Sequence, residues 1–267
     1  MLAALAAPLA LGQAPACAPL PGSDALWRDG TRFIFIGETH GTVEAPAAFA
    51  DLVCLALERG PVTAALEFPT AMQPTLDAFM AAETDAAARA VLLDYPYGPF
   101  RFHDGRGSEA MMAMLLRLRA LRRDGRPLTV VATVPDSPRL PGFGQSYAEL
   151  DRAAVWVEAA RARPDDRVLV FVGRVHAEKT RRVGSPIGLP AAAHIRPEDS
   201  LSLAVARQGG EAWLCRDECG VAAITPVDDA AARGVVLSPD LDPAFDGLLA
   251  LGPWTASPPA PRDQPLT

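Results

Sequence analysis

Short apolar runs alternate with longer segments of mixed character along most of this chain. Four runs have the length and continuous apolar character of strands that are buried on both faces, and they lie at Arg32–Ile36, Val62–Leu66, Leu128–Val134 and Arg167–Val172. The segments between them place apolar residues at helical spacing. This alternation predicts an α/β fold with a mainly parallel central sheet flanked by helices.

The helical segments are bounded by ordinary start and stop signals. Helices are predicted at 46–58, at 72–93 with a break near 83–85, at 108–123 and at 147–162. Ser108 is the predicted N-cap of the third of these segments.

The last third of the chain has shorter apolar runs joined by tight turns. The runs at Leu201–Ala206, Glu211–Cys215 and Val221–Thr225 are predicted to extend the sheet with antiparallel strands. The proline-rich, polar segment 256–267 is expected to be a disordered tail. We therefore expect a single α/β domain over residues 22–255.

The first sixteen residues are uncharged and rich in alanine and leucine, and small residues follow the apolar run. This pattern is typical of a signal peptide or its remnant, and it predicts a periplasmic or secreted protein. A lipoprotein anchored through Cys17 is the alternative. No later segment is apolar for long enough to predict a membrane-spanning helix.

The four cysteines are even in number, which suits export. Cys215 and Cys219 are predicted to form a disulfide that closes a small loop between two strands. Cys17 is either the disulfide partner of Cys54 or a lipidated N-terminal cysteine.

The charge of the chain argues against a nucleic-acid partner. The net charge is −7 and the pI is about 5.1, and the arginines are scattered among acidic residues rather than gathered in one stripe. The basic segment Arg117–Arg126 has leucines at helical spacing, so it is interpreted as the solvated face of a helix.

Polar side chains follow three of the predicted strands. Glu38 and His40 follow the first strand, Glu67 follows the second, and His176 follows the fourth in a repeat of the Gly-x-x-His context of His40. Because the carboxyl ends of parallel strands form the binding edge of open α/β sheets, these four side chains are expected to converge there. Each also has a structural interpretation, as a helix cap, a core hydrogen-bond partner or the partner of an arginine.

A polar loop precedes the third helical segment. Arg106 would hold a carboxylate or an oxyanion, and Asp104 and Ser108 are further candidates for substrate binding. The alternative is a plain turn at Asp104-Gly105. The chain has no Gly-x-Ser-x-Gly elbow, P-loop, dinucleotide fingerprint or His-Glu-x-x-His helix.

Three motifs together resemble the superfamily that includes the erythromycin esterases, the ChaN-type haem-binding uptake proteins and the Tiki/TraB proteins. They are Gly37–Gly41, Leu66-Glu67 and Gly173–Ala177, and the resemblance covers roughly residues 32–176. It implies an exported protein of this α/β class.

The resemblance also implies roles for the four strand-end residues. His40 would be a general base that activates water, Glu38 and Glu67 would orient it or bind a metal, and His176 would be a second ligand or base. Two imidazoles and two carboxylates would also make a first shell for zinc, manganese or iron. Arg106 would stabilise an oxyanion or anchor an anionic substrate group.

Two functional hypotheses follow, beside the blander possibility of a degenerate family member with only a structural or partner-binding role. In the first, the chain is a hydrolase of a small-molecule substrate that uses the Glu/His site with or without a divalent metal ion. In the second, it is a periplasmic haem- or iron-binding protein without catalysis, and Tyr95 or Tyr97 would be the haem ligand.

Overall fold

A computed structural model describes residues 17–137 and 144–260. The predicted signal segment at 1–16 lies outside the described residues.

The described elements follow the predicted alternation of strands and helices. The strands are β1 (Phe33–Glu38), β2 (Val62–Pro69), β3 (Leu128–Val134), β4 (Arg167–Gly173), β5 (Ser200–Val205), β6 (Glu211–Cys215), β7 (Cys219–Ala223), β8 (Gly234–Leu237) and β9 (Gly247–Ala250). The α-helices are α1 (Glu44–Leu57), α2 (Gln73–Ala81), α3 (Asp85–Asp94), α4 (Glu109–Arg123), α5 (Ser146–Ala162) and α6 (Arg174–Ala177). Short 3₁₀ turns lie at Ser23–Leu26, Thr70–Met72, Pro99–Arg101, Ala191–His194 and Pro197–Asp199.

The described part of the chain forms a seven-stranded sheet with the order β3-β2-β4-β1-β5-β9-β8. β1 lies in the middle and pairs in parallel with both β4 and β5. Among the described strands of this sheet, β8 alone runs antiparallel to its neighbour. The prediction of an α/β fold with a mainly parallel sheet and antiparallel strands in the C-terminal third is confirmed.

Two details of the C-terminal third differ from the prediction. β5 pairs in parallel with β1, and β6 and β7 form a separate hairpin instead of extending the main sheet. The antiparallel strand of the main sheet is β8, which the sequence did not predict because it is only four residues long. A strand of this length contains too few alternating apolar and polar positions to be predicted from the sequence.

The two faces of the sheet bury separate apolar layers. Ile34 and Ile36 face a cluster formed with α1, α2 and α4, whereas Phe33 and Phe35 face a cluster that contains Trp156 of α5. Alternate residues of β1 therefore point to opposite layers, as the period of a strand requires. This double coverage explains why the β1 sequence is continuously apolar.

The predicted tail is partly ordered. Ala256 forms a β-bridge with Thr42, Pro259 forms one with Ser108, and Ala260 is buried. Residues 256–260 therefore belong to the packed domain, and the remaining residues of the predicted tail lie outside the described part of the chain.

Two disulfides join the four cysteines, Cys17 to Cys54 and Cys215 to Cys219. The predicted Cys215–Cys219 disulfide is confirmed, and of the two alternatives for Cys17 the structure shows the disulfide with Cys54. Because the Cys17 Sγ is bonded to Cys54, it is not available to carry a lipid in this structure.

No helix within residues 17–137 and 144–260 has both the length and the apolar character needed to cross a bilayer.

Candidate active site

The first half of the site lies where β1 ends. Glu38 is the last residue of that strand and pairs in register with Gly173 of β4. The side chain of Glu38 is almost completely buried, and its Oε1 is in close contact with His40 Nδ1. The contact fixes the imidazole so that Nε2 is the ring nitrogen that faces the rest of the site.

Glu67 lies at the centre of the site. Its Oε2 is 3.7 Å from His40 Nε2, and its Oε1 is 3.6 Å from His176 Nε2. The backbone N–H of Gly173 donates a 2.6 Å hydrogen bond to Oε2. The pairing of β2 with β3 shifts register just beyond Leu66, so Glu67 stands at the irregular end of its strand.

The second half of the site follows β4. His176 lies in the single turn of α6 that begins directly after that strand. Its Nδ1 is 2.7 Å from Glu149 Oε1. Like His40, it therefore turns Nδ1 to a buried carboxylate and Nε2 to Glu67.

The structure thus brings together the four side chains that the sequence placed at strand ends. Glu38, His40, Glu67 and His176 meet at one edge of the sheet, and Glu67 lies between the two imidazoles. The predicted convergence is confirmed. The chemical roles of these residues remain predictions.

Helix α5 supplies two site residues that the sequence reasoning missed. Glu149 contacts His176, and Arg152 Nη1 lies 3.1 Å from Glu67 Oε1. Both belong to the buried stripe of α5, together with Ala153, Trp156 and Ala160. The sequence did contain a signal for them, since Glu149 and Arg152 occupy positions of the helix that share a face with apolar residues. A charged side chain that faces the core requires a partner.

The charges of the site shift the protonation of two of its groups. Burial disfavours the charged form of His40, but the charge and hydrogen bond of Glu38, together with the charge of Glu67, outweigh it and raise the pKa of His40 to about 9. Burial likewise opposes ionisation of Glu67, yet His40, Arg152, His176 and the Gly173 N–H lower its pKa to about 2. At neutral pH, His40 is an imidazolium and Glu67 is a carboxylate.

The loop before α4 brings one predicted substrate-binding pair to the site. Arg106 and Asp104 form an ion pair in which Nε donates a 2.9 Å hydrogen bond to Asp104 Oδ2. Burial would raise the pKa of Asp104, but Arg106 lowers it. The charge of Arg106 also acts on His40 and Glu67, so the guanidinium lies within electrostatic reach of both.

Two glycines allow this loop to approach the site. Gly105 has φ +86°, and a Cβ there would lie 2.7 Å from the backbone nitrogen of Gly41. Gly41 has φ +82°, and a Cβ there would lie 2.2 Å from the carbonyl oxygen of Trp213. Only glycine permits both the left-handed backbone and the close contact.

The turn that carries His40 is also held from the other side. The Gly41 carbonyl accepts hydrogen bonds from the backbone N–H groups of Trp213 (2.9 Å) and Ser257 (2.8 Å). The indole Nε1 of Trp213 donates a 2.8 Å bond to the carbonyl of His103. The β6–β7 hairpin therefore ties the His40 turn to the Asp104–Arg106 loop.

Ser108 does not join the site as a substrate-binding residue. It is 1% exposed, and its Oγ accepts a hydrogen bond from Met111 N as the N-cap of α4. The predicted cap is confirmed, and the burial of Ser108 keeps its hydroxyl away from the surface of the site.

The proposed haem tyrosines lie after α3. Tyr95 packs against the apolar core on the α4 side of the sheet, and its ring contacts Tyr97 edge-on at 6.3 Å. Tyr97 is 75% exposed. Haem binding stays a prediction.

The arrangement does not fit a divalent metal ion. Each imidazole turns its Nδ1 to a carboxylate, so only the two Nε2 atoms and Glu67 would be donors at the centre. Both oxygens of Glu67 already have partners, Gly173 N and Arg152, and a cation there would stand beside the guanidinium. Within the described ranges, no group of three or more His, Cys, Asp or Glu side chains has a metal-binding arrangement.

Comparison with known proteins identifies the fold. No protein-family model matches the chain, and no curated protein matches its sequence. Among solved structures, it is similar to a point mutant of erythromycin esterase EreC in its open conformation, with a TM-score of 0.62 and 13% identity over 85% of this chain and 91% of that one.

Two further structures have the same fold. A protein from Bacillus cereus has a TM-score of 0.56 and 12% identity, over 87% of this chain and 91% of that one. A succinoglycan biosynthesis protein has a TM-score of 0.54 and 10% identity, over 87% of this chain and 90% of that one. The predicted likeness to the erythromycin esterases is confirmed at the level of the fold.

Proposed function

We propose that this chain, which has the fold of an erythromycin esterase, is a hydrolase that cleaves a carbonyl compound of the ester type. The observation that carries the proposal is the position of Glu67, whose two oxygens lie 3.7 and 3.6 Å from the Nε2 atoms of His40 and His176. Both distances are too long for a hydrogen bond, so each Nε2 is free to exchange a proton with a reactant.

His40 is proposed as the general acid. Its pKa of about 9 makes it an imidazolium at neutral pH, so it has a proton to donate and no lone pair to accept one. This role differs from the general-base role that the family resemblance implies for His40. The physical reason is the close contact with Glu38, which stabilises the charged ring.

His176 is proposed as the general base. Its Nδ1 contacts Glu149, which leaves Nε2 directed toward the reactants beside Glu67. Ionised Glu67 stabilises the positive charge that His176 gains when it accepts a proton, and this is the electrostatic contribution that a buried, preorganised carboxylate makes.

The reaction then proceeds in two balanced stages. A water oxygen bonds to the carbonyl carbon, and the proton released from that water goes to His176 Nε2. In the second stage the carbon–oxygen bond to the leaving group breaks, and the departing alkoxide takes the proton of His40 Nε2. Transfer of one proton from His176 to His40 restores the starting state.

Arg106 is proposed to stabilise the oxyanion of the tetrahedral intermediate. Its charge acts on both His40 and Glu67, and its pairing with Asp104 holds the guanidinium beside them. Asp104 is thus assigned to positioning Arg106. The structural relative EreC is an erythromycin esterase, which supports an ester as the substrate class, and the particular ester is left to experiment.

Export is part of the proposal. Two disulfides in the described residues favour an oxidising compartment, the periplasm or the cell exterior.

The test is a hydrolysis screen with p-nitrophenyl acetate, p-nitrophenyl butyrate and a set of alkyl esters and lactones. The wild type should hydrolyse at least one of them, and His40→Asn and His176→Asn should each lower the rate by about 100-fold or more. His194→Asn, which changes a histidine of the turn at Ala191–His194, is the matched control and should keep the rate. Equal rates in the wild type and both site variants would refute the hydrolase.

A haem titration separates the binding hypothesis from the hydrolase. A Soret shift that is lost in Tyr95→Phe, Tyr97→Phe or His176→Asn would support haem binding and would count against a purely catalytic site.

A further inference from the structure

We infer that Glu149 is a positioning residue that fixes the tautomer of His176, with the ring proton on Nδ1 and the lone pair on Nε2. The inference rests on the proposed function, because this tautomer is the one in which Nε2 can accept a proton from water. It gives α5 a part in the reaction, although α5 follows β3 and carries none of the strand-end motifs.

The two oxygens of Glu149 have separate partners. Oε1 lies 2.7 Å from His176 Nδ1, and Oε2 accepts a 2.8 Å hydrogen bond from the backbone N–H of Ala191. The residue is 1% exposed, so water does not compete for either oxygen. The carboxylate is therefore held in one orientation, and it holds the imidazole in turn.

The chemistry of a neutral imidazole then sets the position of the proton. One ring nitrogen is a donor and the other an acceptor, and a carboxylate oxygen only accepts. The nitrogen that faces Glu149 must therefore carry the proton. The opposite nitrogen, 3.6 Å from Glu67 Oε1, keeps its lone pair toward the reactants.

The same helix also contacts Glu67, the carboxylate that faces His176 Nε2. Arg152, three residues after Glu149, lies 3.1 Å from Glu67 and contributes to the low pKa of that carboxylate. Burying two charged residues on the core-facing stripe of one helix is rarely favourable for stability alone. Their contacts, from Glu149 to His176 and from Arg152 to Glu67, support a role of the two residues in organising the site.

A purely structural role for Glu149 would be to anchor the turn at Ala191–His194 through its bond to Ala191 N. That role does not depend on which ring nitrogen of His176 carries the proton. The tautomer is therefore the property that separates the two interpretations.

The experiment is nitrogen-15 NMR of the imidazoles in uniformly labelled full-length protein at pH 7, with His176 assigned by comparison with His176→Asn. In the wild type, the Nδ1 signal of His176 should be that of a protonated nitrogen and the Nε2 signal that of an unprotonated one. In Glu149→Ala, the proton should move to Nε2, which is the tautomer that free histidine prefers. Glu158→Ala changes an exposed residue of the same helix and should leave the wild-type pattern.

A wild-type His176 with its proton on Nε2, or on both nitrogens, would overturn the inference. An unchanged pattern in Glu149→Ala would overturn it as well. The wild-type spectrum decides even if Glu149→Ala does not fold. The measurement needs no substrate, so a correct tautomer in a protein that hydrolyses no ester would refute the hydrolase and leave the role of Glu149 intact.

Discussion

Arg152 Nη1 lies 3.1 Å from Glu67 Oε1, and the two side chains keep only 8% and 12% of their surface exposed. The two groups come from different parts of the fold, because Arg152 belongs to α5 and Glu67 to β2. Removing the cation of an enclosed pair leaves the partner charge without compensation, which costs more than the net strength of the pair.

Arg152→Met is therefore expected to lower the free energy of unfolding by about 3–5 kcal/mol at pH 7. Glu67 has a lowered pKa in the folded state, so its ionised form contributes stability above pH 4.5, and this contribution is lost as the pH falls through about 2. The loss of unfolding free energy in Arg152→Met should accordingly become smaller as the pH is lowered. Chemical denaturation at several pH values measures it.

A second substitution controls for loss of packing. In Arg152→Met/Glu67→Gln, both charges are gone, and most of the lost stability should return. Arg161→Met changes an exposed arginine of the same helix and should stay within about 0.5 kcal/mol of the wild type. A double variant no more stable than Arg152→Met would contradict the uncompensated-charge explanation.

Gly173 provides a steric probe of the space between the two imidazoles. A Cβ on Gly173 would lie 3.3 Å from both His40 Nε2 and Glu67 Oε2, and 3.6 Å from His176 Cδ2. The backbone of Gly173, at φ −54° and ψ 140°, suits alanine. Gly173→Ala should therefore fold but lose ester hydrolysis by about 100-fold, because the methyl occupies the space of a reactant.

The matched control is Gly220→Ala, since a Cβ at Gly220 meets no atom within 4 Å. It should keep full activity. Wild-type rates in Gly173→Ala would show that the reaction takes place elsewhere.

The two disulfides close loops of different length. Cys17 and Cys54 are 37 residues apart in sequence, and Cys215 and Cys219 are 4 apart. Loop entropy predicts that Cys17→Ser/Cys54→Ser loses about 4 kcal/mol of unfolding free energy and that Cys215→Ser/Cys219→Ser loses about 2 kcal/mol. Equilibrium denaturation of the two double variants tests this order, and a larger loss for the short loop would contradict the entropic explanation.

His40 makes stability depend on pH in the alkaline range. Its pKa is about 9 in the folded state and its ordinary value is 6.5. The charged imidazole therefore stabilises the folded state fully below pH 6.5, and this stabilisation is lost as the pH rises through about 9. The shift corresponds to roughly 3 kcal/mol. His40→Gln should be less stable than the wild type at pH 6, and the difference should narrow by about that amount at pH 10.

Thermal or chemical unfolding across this range measures the difference. Glu38→Gln removes the group that raises the pKa of His40. Its difference in unfolding free energy from the wild type should therefore also be larger at pH 6 than at pH 10. A constant difference between His40→Gln and the wild type from pH 6 to pH 10 would show that the His40 pKa is not raised.

The sequence predicted the central strands and the strand-end residues because each leaves a local signal. β1, β2, β3 and β4 are continuous apolar runs, and the polar residues of the site begin where the runs stop. Parallel strands end at a common edge, so local patterns were sufficient to predict that Glu38, Glu67 and His176 would meet.

The contribution of α5 was not predicted because it depends on which face of a helix turns inward. Glu149 and Arg152 lie among alanines and other charged residues, so the buried stripe of that helix is visible only through its spacing with Trp156. The opposite error concerned Ser108, whose position beside a polar loop suggested substrate contact. Its hydroxyl is used by the first turn of α4 instead.

The pH dependence of kcat/KM for ester hydrolysis tests the central claim, that His40 donates a proton and His176 accepts one. For a general acid with a pKa of about 9, the rate should fall as the pH rises through 9, and Glu38→Gln should move the falling limb to lower pH. A rate that rises through pH 9, or a limb that Glu38→Gln leaves in place, would contradict the account.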